Sequence, residues 1–274
     1  MKRLVVITGP TAVGKTAHAV RLAQELDTEI VSCDSRQFYR ELRIGVARPT
    51  DEELTAVKHH FIACRSVTEP YNIYEYEQDA LRLIERLFEQ HDVVVAVGGS
   101  GLYIDALLGG VSRMPDPTPE LRASLQQMPL EEKRAQLKML DPEYYNTVDL
   151  RNPVRLQRAL EVCLTVGRPY SEVIAGHQPA SRLFATEVRV LEMERDELRR
   201  RIDHRVDAMM QEGLLDEVRS LLPYRQMNTL NTVGYRELFP VLDGEAELAS
   251  AIADIKLNTW HYARKQMTWM RRYQ

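Results

Sequence analysis

The apolar positions of this chain fall into a few short unbroken runs separated by longer stretches of mixed pattern. Leu4 to Thr8, Glu29 to Cys33 and Asp92 to Val97 are too short for helices and rich in Val and Ile, as expected of strands buried on both faces. Lys15 to Leu26 contains neither Gly nor Pro and reads as a helix, and Asn72 to Gln90 places Tyr76, Ala80, Leu83 and Leu87 on one helical face. Residues 41–70 are polar and mixed. Within them His59 and His60 share no helical face and have no third ligand at metal spacing, so they are assigned no role. Glu187 to Met193 reads as a return to the sheet. Arg195 to Met210 reads as a helix with Leu198, Ile202, Val206 and Met209 inward and Arg201 and Arg205 on an exposed flank. From Glu245 to Gln274 there is again no Gly or Pro, and Leu248, Ile252, Ile255, Thr259, Tyr262, Gln266 and Trp269 form a heptad-like stripe that predicts one long closing helix with basic last turns. Strands alternating with helices on this spacing give an α/β fold with a parallel sheet flanked by helices.

The pattern changes after Gly109-Gly110. The Pro-rich run Met114 to Pro119 opens helical stretches with few apolar runs until about Phe184. The expected organisation is a core of residues 1–112 and 185–274 with an inserted helical subdomain, 113–184. In that insertion Arg151, Arg155 and Arg158 fall at i, i+4 and i+7, opposite a stripe of Leu156, Ala159, Leu160 and Cys163, and no acidic residue stands four positions on to neutralise them. A solvated basic face and a phosphate-contacting face both remain open.

Composition narrows the classes. With 274 residues, 44% hydrophobic and 28% charged, the chain can bury a sizeable core. A net charge of −4 argues against a nonspecific basic nucleic-acid binder. Cys33, Cys64 and Cys163 form no Cys-x-x-Cys pair, so neither a zinc site nor a disulfide framework is expected, and a reducing cytoplasm fits. No apolar run approaches a membrane span, and the short apolar stretch after Lys2-Arg3 is not expected to be a signal peptide.

The chemistry begins at Gly9-Pro10-Thr11-Ala12-Val13-Gly14-Lys15-Thr16, which fits the phosphate-loop pattern G-x-x-x-x-G-K-[ST] between a strand and a helix. Backbone N–H groups and the helix N-terminus would cradle a diphosphate, Lys15 would bridge its terminal phosphates and Thr16 would hold Mg²⁺. Asp34-Ser35-Arg36-Gln37 stands at the carboxyl end of the second strand, the edge where ligands bind in such sheets. Asp34 can be a magnesium ligand, a general base or a loop-capping carboxylate. Gly98-Gly99-Ser100-Gly101-Leu102-Tyr103 puts three glycines at another strand end and predicts a loop facing the ligand.

Together with Arg155 to Val162, Val233 to Arg236 and Arg264 to Trp269, these stretches resemble the bacterial tRNA dimethylallyltransferase (IPP transferase) family, in order and spacing, over nearly the whole chain. The resemblance implies a P-loop NTPase-like core and a cytoplasmic, monomeric enzyme with no membrane partner. It implies transfer of a dimethylallyl group from dimethylallyl diphosphate to the exocyclic amine of the adenine 3′ to the tRNA anticodon. By the same resemblance Asp34 accepts the amine's proton, and Thr11 and Arg205 stand at the diphosphate with Lys15 as catalytic groups. The resemblance also lays Asp34, Ser35, Arg36, Gln37, Ser100, Arg122, Val154, Arg155, Leu156, Gln157, Arg158, Asn231, Thr232, Val233, Gly234, Tyr235 and Arg236 against the tRNA anticodon stem-loop. The competing readings are a prenyltransferase acting on free adenine nucleotides, disfavoured because a small acceptor needs no second grip, and a P-loop nucleotide kinase whose insertion is an ATP lid.

Overall fold

The computed structural model describes residues 1–176 and 180–274; residues 177–179, inside the expected insertion, lie outside the described residues. The chain opens with β1 (Arg3–Thr8), α1 (Lys15–Glu25), β2 (Ile30–Ser32), α2 (Asp51–Ala56), β3 (His59–His60), α3 (Ile73–Leu87), β4 (Val93–Val97) and α4 (Gly101–Gly109). The helices α5 (Pro119–Gln127), α6 (Leu130–Leu140), α7 (Pro142–Tyr145), α8 (Pro153–Val166) and α9 (Tyr170–Ala175) follow. The chain then returns through β5 (Ala185–Val190), α10 (Arg195–Gln211), α11 (Leu214–Ser220), α12 (Phe239–Leu242) and α13 (Leu248–Met270). It divides into two compact units, Met1–Gly109 with Ser181–Gln274, and Gly110–Ala180.

All strands of the first unit are parallel, in the order β3-β2-β4-β1-β5. The sheet carries its core on both faces, which is why its three central strands β2, β4 and β1 are continuous apolar runs. Leu4, Val6, Val94 and Ala96 pack with Ile84 of α3 and Leu107 of α4, while Val5, Ile7, Val95 and Val97 pack with Ala19, Val20 and Ala23 of α1. Loop residues 9–14, 33–37 and 98–100 therefore all leave the sheet at its carboxyl edge.

One element goes unmarked in the sequence and one expectation changes here. His59 and His60 are the edge strand β3, paired with Ile30 and Val31; a two-residue strand has no run of its own to betray it and is specified by its neighbour. Along α13 the buried positions are Ala251, Ile255, Trp260, Ala263, Gln266 and Met270, while Leu248 and Tyr262 are exposed. The helix keeps its 3.6-residue period and shares only Ile255 and Gln266 with the heptad reading; Ala251, Trp260, Ala263 and Met270 make up the rest of its core stripe.

Helix ends follow local chemistry. Asn72 and Thr50 form reciprocal capping boxes with Glu75 and Glu53, and Thr118 and Asn152 cap helices that begin on Pro119 and Pro153. At the end of β4, Gly98 donates its N–H to Ile7 O at 3.2 Å and accepts from Thr8 Oγ1 at 3.0 Å. A Cβ there would stand 2.4 Å from Cys33 O. Gly98→Ala should therefore cost about 1–3 kcal/mol of stability by forcing β2 and β4 apart, read as a lower urea midpoint at unchanged m-value; an unshifted midpoint would contradict that close approach.

Candidate active site

The phosphate loop turns from β1 into α1 through Gly14, whose φ of 100° is a conformation that side-chain-bearing residues resist. Lys15 folds back over the loop, its Nζ donating to Gly9 O at 2.9 Å and Pro10 O at 2.8 Å. Burial pulls the Lys15 ammonium down to about 7, against the opposing pull of Asp34 and with a further push from Arg205. Arg205 Nη1 donates to Thr11 Oγ1 at 3.3 Å, bringing α10 to the loop. The exposed flank expected for Arg205 is thus corrected: the guanidinium is part-buried, and burial with Arg201 nearby lowers its pKa. Neither Arg201 nor Arg205 forms an ion pair among the described residues, so both cations remain available to an anion.

Asp34 follows β2 and lies beside this cation cluster. Its Oδ1 accepts Arg36 N–H at 2.9 Å, yet burial dominates and holds the carboxyl above the ordinary aspartate range. The loop-capping reading is therefore realised alongside whatever chemistry Asp34 performs. Ser100 Oγ accepts from Ser35 N at 3.1 Å and fastens the Asp34 loop to the loop after β4.

The glycines of that second loop are explained by packing. A Cβ at Gly98 would strike Cys33, at Gly99 would stand 2.3 Å from Gln266 Nε2, and at Gly101 would stand 2.3 Å from the Trp269 indole. Close approach of Cys33 and of α13 accounts for these glycines, and a Cβ at Gly99 would also stand 3.5 Å from Lys15 Nζ, so this loop borders the phosphate lysine. Gln266 ties the two loops, accepting Thr11 N–H at 2.8 Å and donating to Gly99 O at 2.8 Å.

One cavity of about 420 Å³ takes in some of these parts and not Lys15, Ser100 or Gln266. Thr11, Asp34, Ser35, Arg36, Arg205, Asn231, Thr232, Val233, Gly234 and Arg236 line it, all drawn from the sequence-based set. Gln37 serves the chain instead, donating to Val46 O at 3.3 Å and Ala47 O at 3.0 Å. The side chain of Tyr235 is corrected from a contact residue to a buried one, 0% exposed, with its hydroxyl on Glu217 Oε1 at 2.6 Å. Residues 231–236 are loop, turning from Val233 onward, with α12 beginning only at Phe239.

Arg122 and Val154 to Arg158 lie in the second unit. Leu156 is 0% exposed in that unit's core, so its side chain cannot reach a partner, whereas Val154 is 74% exposed. The unneutralised arginine face also needs correcting. Arg158 pairs with Glu161 at 3.2 Å, three positions on, Arg122 reaches the same carboxylate at 4.0 Å, and Arg151 pairs with Asp149 at 3.7 Å. An i+4 test alone overlooks such partners.

The sequence profile of the IPP transferases matches residues 37–273. The chain belongs to the IPP transferase family. Among its relatives, tRNA dimethylallyltransferase 1 of Bacteroides thetaiotaomicron is 48% identical over 276 residues, covering 99% of this chain and 89% of that one. The tRNA dimethylallyltransferase of Flavobacterium johnsoniae is 46% identical over 282 residues, covering 99% and 91%. The tRNA isopentenylpyrophosphate transferase of Bacillus halodurans superposes with a TM-score of 0.72 at 33% identity, covering 99% of this chain and 87% of that one. A eukaryotic dimethylallyltransferase acting on tRNA superposes with a TM-score of 0.83 at 25% identity, covering 98% and 70%. The P-loop NTPase-like core is thus the IPP transferase fold, and the phosphate loop, which precedes the profile match, is covered by the near-full-length relatives.

In this IPP transferase the cavity is also lined by one face of α13, made of Ile255, Asn258, Thr259, His261, Tyr262 and Lys265, and by Gly45 to Ala47; Lys265 stands in the familial stretch Arg264 to Trp269 and Gly45 to Ala47 in the familial stretch Ile44 to Thr50, but sequence reasoning gave none of these a place in the site. Part of the α13 face was visible as the stripe assigned to the core: Ile255, Thr259 and Tyr262 belong to it and line the cavity. Among the described residues no group of three or more His, Cys, Asp or Glu side chains could hold a metal, and no helix is long and apolar enough to cross a membrane.

Proposed function

We propose that this IPP transferase is an enzyme moving a dimethylallyl group from dimethylallyl diphosphate to the exocyclic N6 of the adenine 3′ to the anticodon of tRNA. The observation that carries the reading is a carboxylate held above its usual range in one cavity with an unpaired, part-buried arginine at the phosphate loop. N6 attacks C1 of the dimethylallyl group, the C1–O bond breaks, and the diphosphate leaves. The loop N–H groups, Lys15 and Arg205 take up the leaving charge, with Thr11 holding Arg205 in place. The proton released from N6 passes to Asp34.

Mg²⁺ fits the residues present. Thr16 is the second residue of α1 and its hydroxyl has no hydrogen-bond partner among the described residues, while no carboxylate cage competes among them. That is the donor set of an ion held mainly by substrate phosphates and water. When bound, the ion adds positive charge to the leaving diphosphate.

An adenine in an anticodon loop reaches Asp34 only if it is flipped out of its stack. The second unit, with Arg155 free of ion pairs among the described residues, is then the grip on the stem phosphates. Mass spectrometry of unmodified tRNA incubated with the enzyme, dimethylallyl diphosphate and Mg²⁺ is expected to show one added prenyl group at that adenine. Prenylation of free adenine nucleotides alone, or phosphate transfer from ATP to a small acceptor, would replace this reading by one of its two competitors.

A further inference from the structure

The cavity's wall away from the phosphate loop is mounted on a carboxylate that does not itself line the cavity. Glu217 of α11 accepts the backbone N–H groups of Arg43 at 3.2 Å, Ile44 at 2.8 Å and Gly45 at 3.1 Å, and the Tyr235 hydroxyl at 2.6 Å. Four donors from two distant segments thus converge on one side chain. Gly45 is packed so closely on Tyr235 that a Cβ would stand 2.5 Å from the ring, and a Cβ at Gly234 would stand 3.6 Å from Gly45 O. The carbonyls of Val46 and Ala47 in the same segment accept from Gln37. Segment 43–47 is therefore fixed through its N–H groups by Glu217 and through its carbonyls by the Asp34 loop. Its inner face, Gly45 to Ala47, and the neighbouring turn Asn231 to Gly234 form cavity wall.

We infer that Glu217 is a positioning residue for the acceptor base, holding Gly45–Ala47 and the Tyr235 turn at the spacing that the flipped adenine nucleotide requires. This rests on the acceptor reading above. The phosphate side is fastened by other bonds, Gln266 to Thr11 and Arg205 to Thr11, none of which passes through Glu217. Loosening Glu217 therefore acts on one substrate only. A free carboxylate oxygen pair suits four donors, and an amide does not: Glu217→Gln puts an NH₂ where N–H or O–H groups must be accepted.

The test is steady-state kinetics of Glu217→Gln and Tyr235→Phe with each substrate varied in turn, together with calorimetric binding of dimethylallyl diphosphate. Glu217→Gln should raise KM for tRNA about ten- to a hundredfold, with KM and binding for dimethylallyl diphosphate unchanged. Tyr235→Phe, which removes a single bond, should raise KM for tRNA about tenfold. The double variant should be no worse than Glu217→Gln, because both act through one contact. A folded variant with unchanged KM for tRNA, or one whose two KM values rise together, overturns the inference. If Glu217→Gln does not fold, Tyr235→Phe decides by the same split. A wild-type enzyme that prenylates no tRNA would sink the acceptor reading itself, whereas an active wild type with indifferent variants sinks only the role of Glu217.

Discussion

Asp34→Asn should lower kcat for prenyl transfer to tRNA by about 10²- to 10⁴-fold, the range that general acid–base groups contribute, while the affinity for dimethylallyl diphosphate stays near the wild-type value. The amide nearly matches the carboxylate in shape and can still accept Arg36 N–H, so the loop that carries Ser35 and Arg36 keeps its anchor. What it cannot do is take a proton. The pH profile adds a second readout. Burial holds the Asp34 carboxyl above the ordinary aspartate range, and the base must be ionised to act. Wild-type kcat/KM is therefore expected to fall as pH drops through that raised pKa, earlier than for a solvent-exposed aspartate. In Asp34→Asn the residual rate should lose this acid limb. If the variant keeps its rate, the proton leaves by another route. If it loses diphosphate binding as well, Asp34 serves the phosphate side, as the magnesium-ligand reading of the sequence allows.

The parts of this fold legible in the sequence are those whose cause is local. Strands β1, β2 and β4 are buried on both faces, so each is a run of apolar residues, and the phosphate loop needs fixed residues at fixed spacing because backbone N–H groups must turn on a phosphate. What escaped is specified across the chain. His59 and His60 form a strand because Ile30 and Val31 offer them a partner. The glycines after β4 exist for Cys33, Gln266 and Trp269, the last two more than 160 residues away. Glu217 looks like any acidic residue on an amphipathic helix, and its backbone partners stand 172 to 174 positions earlier. The closing helix misled for a related reason: it serves the core with one stripe and the cavity with its neighbour, and hydropathy merges the two into one. Lys15 and Asp34 could be singled out as candidates because each stands at a strand end or helix start fixed by such local patterns, whereas Thr11 and Arg205 were singled out by resemblance and the bonds that hold these groups in register were not legible.

Lys15→Met should lower kcat/KM by about 10²- to 10³-fold, the effect of removing one preorganised donor from a developing anion, and should also abolish a pH dependence that the wild-type enzyme shows in substrate binding alone. Burial brings the Lys15 pKa down to about 7 in the free protein. A bound diphosphate adds negative charge beside Nζ and favours the ammonium, so the pKa rises in the complex. Between those two values the complex holds one more proton than the free enzyme, and binding takes that proton up. As far as Lys15 sets it, affinity for dimethylallyl diphosphate should therefore be independent of pH below about pH 7, where the lysine is charged in both states, and weaken above it, by up to about tenfold per pH unit for a single linked proton. Calorimetry in buffers of different ionisation enthalpy would register the uptake directly at pH 8. The ligand's own titration is common to both proteins, so the difference between the wild-type and Lys15→Met slopes isolates the lysine. Equal slopes would mean that the titrating group lies elsewhere, and an unimpaired Lys15→Met would mean that the loop amides and Arg205 carry the leaving diphosphate without it. Gln266 and Thr11 fix the loop in both proteins, so neither outcome can be assigned to a collapsed phosphate site while calorimetry still shows the variant binding its ligand.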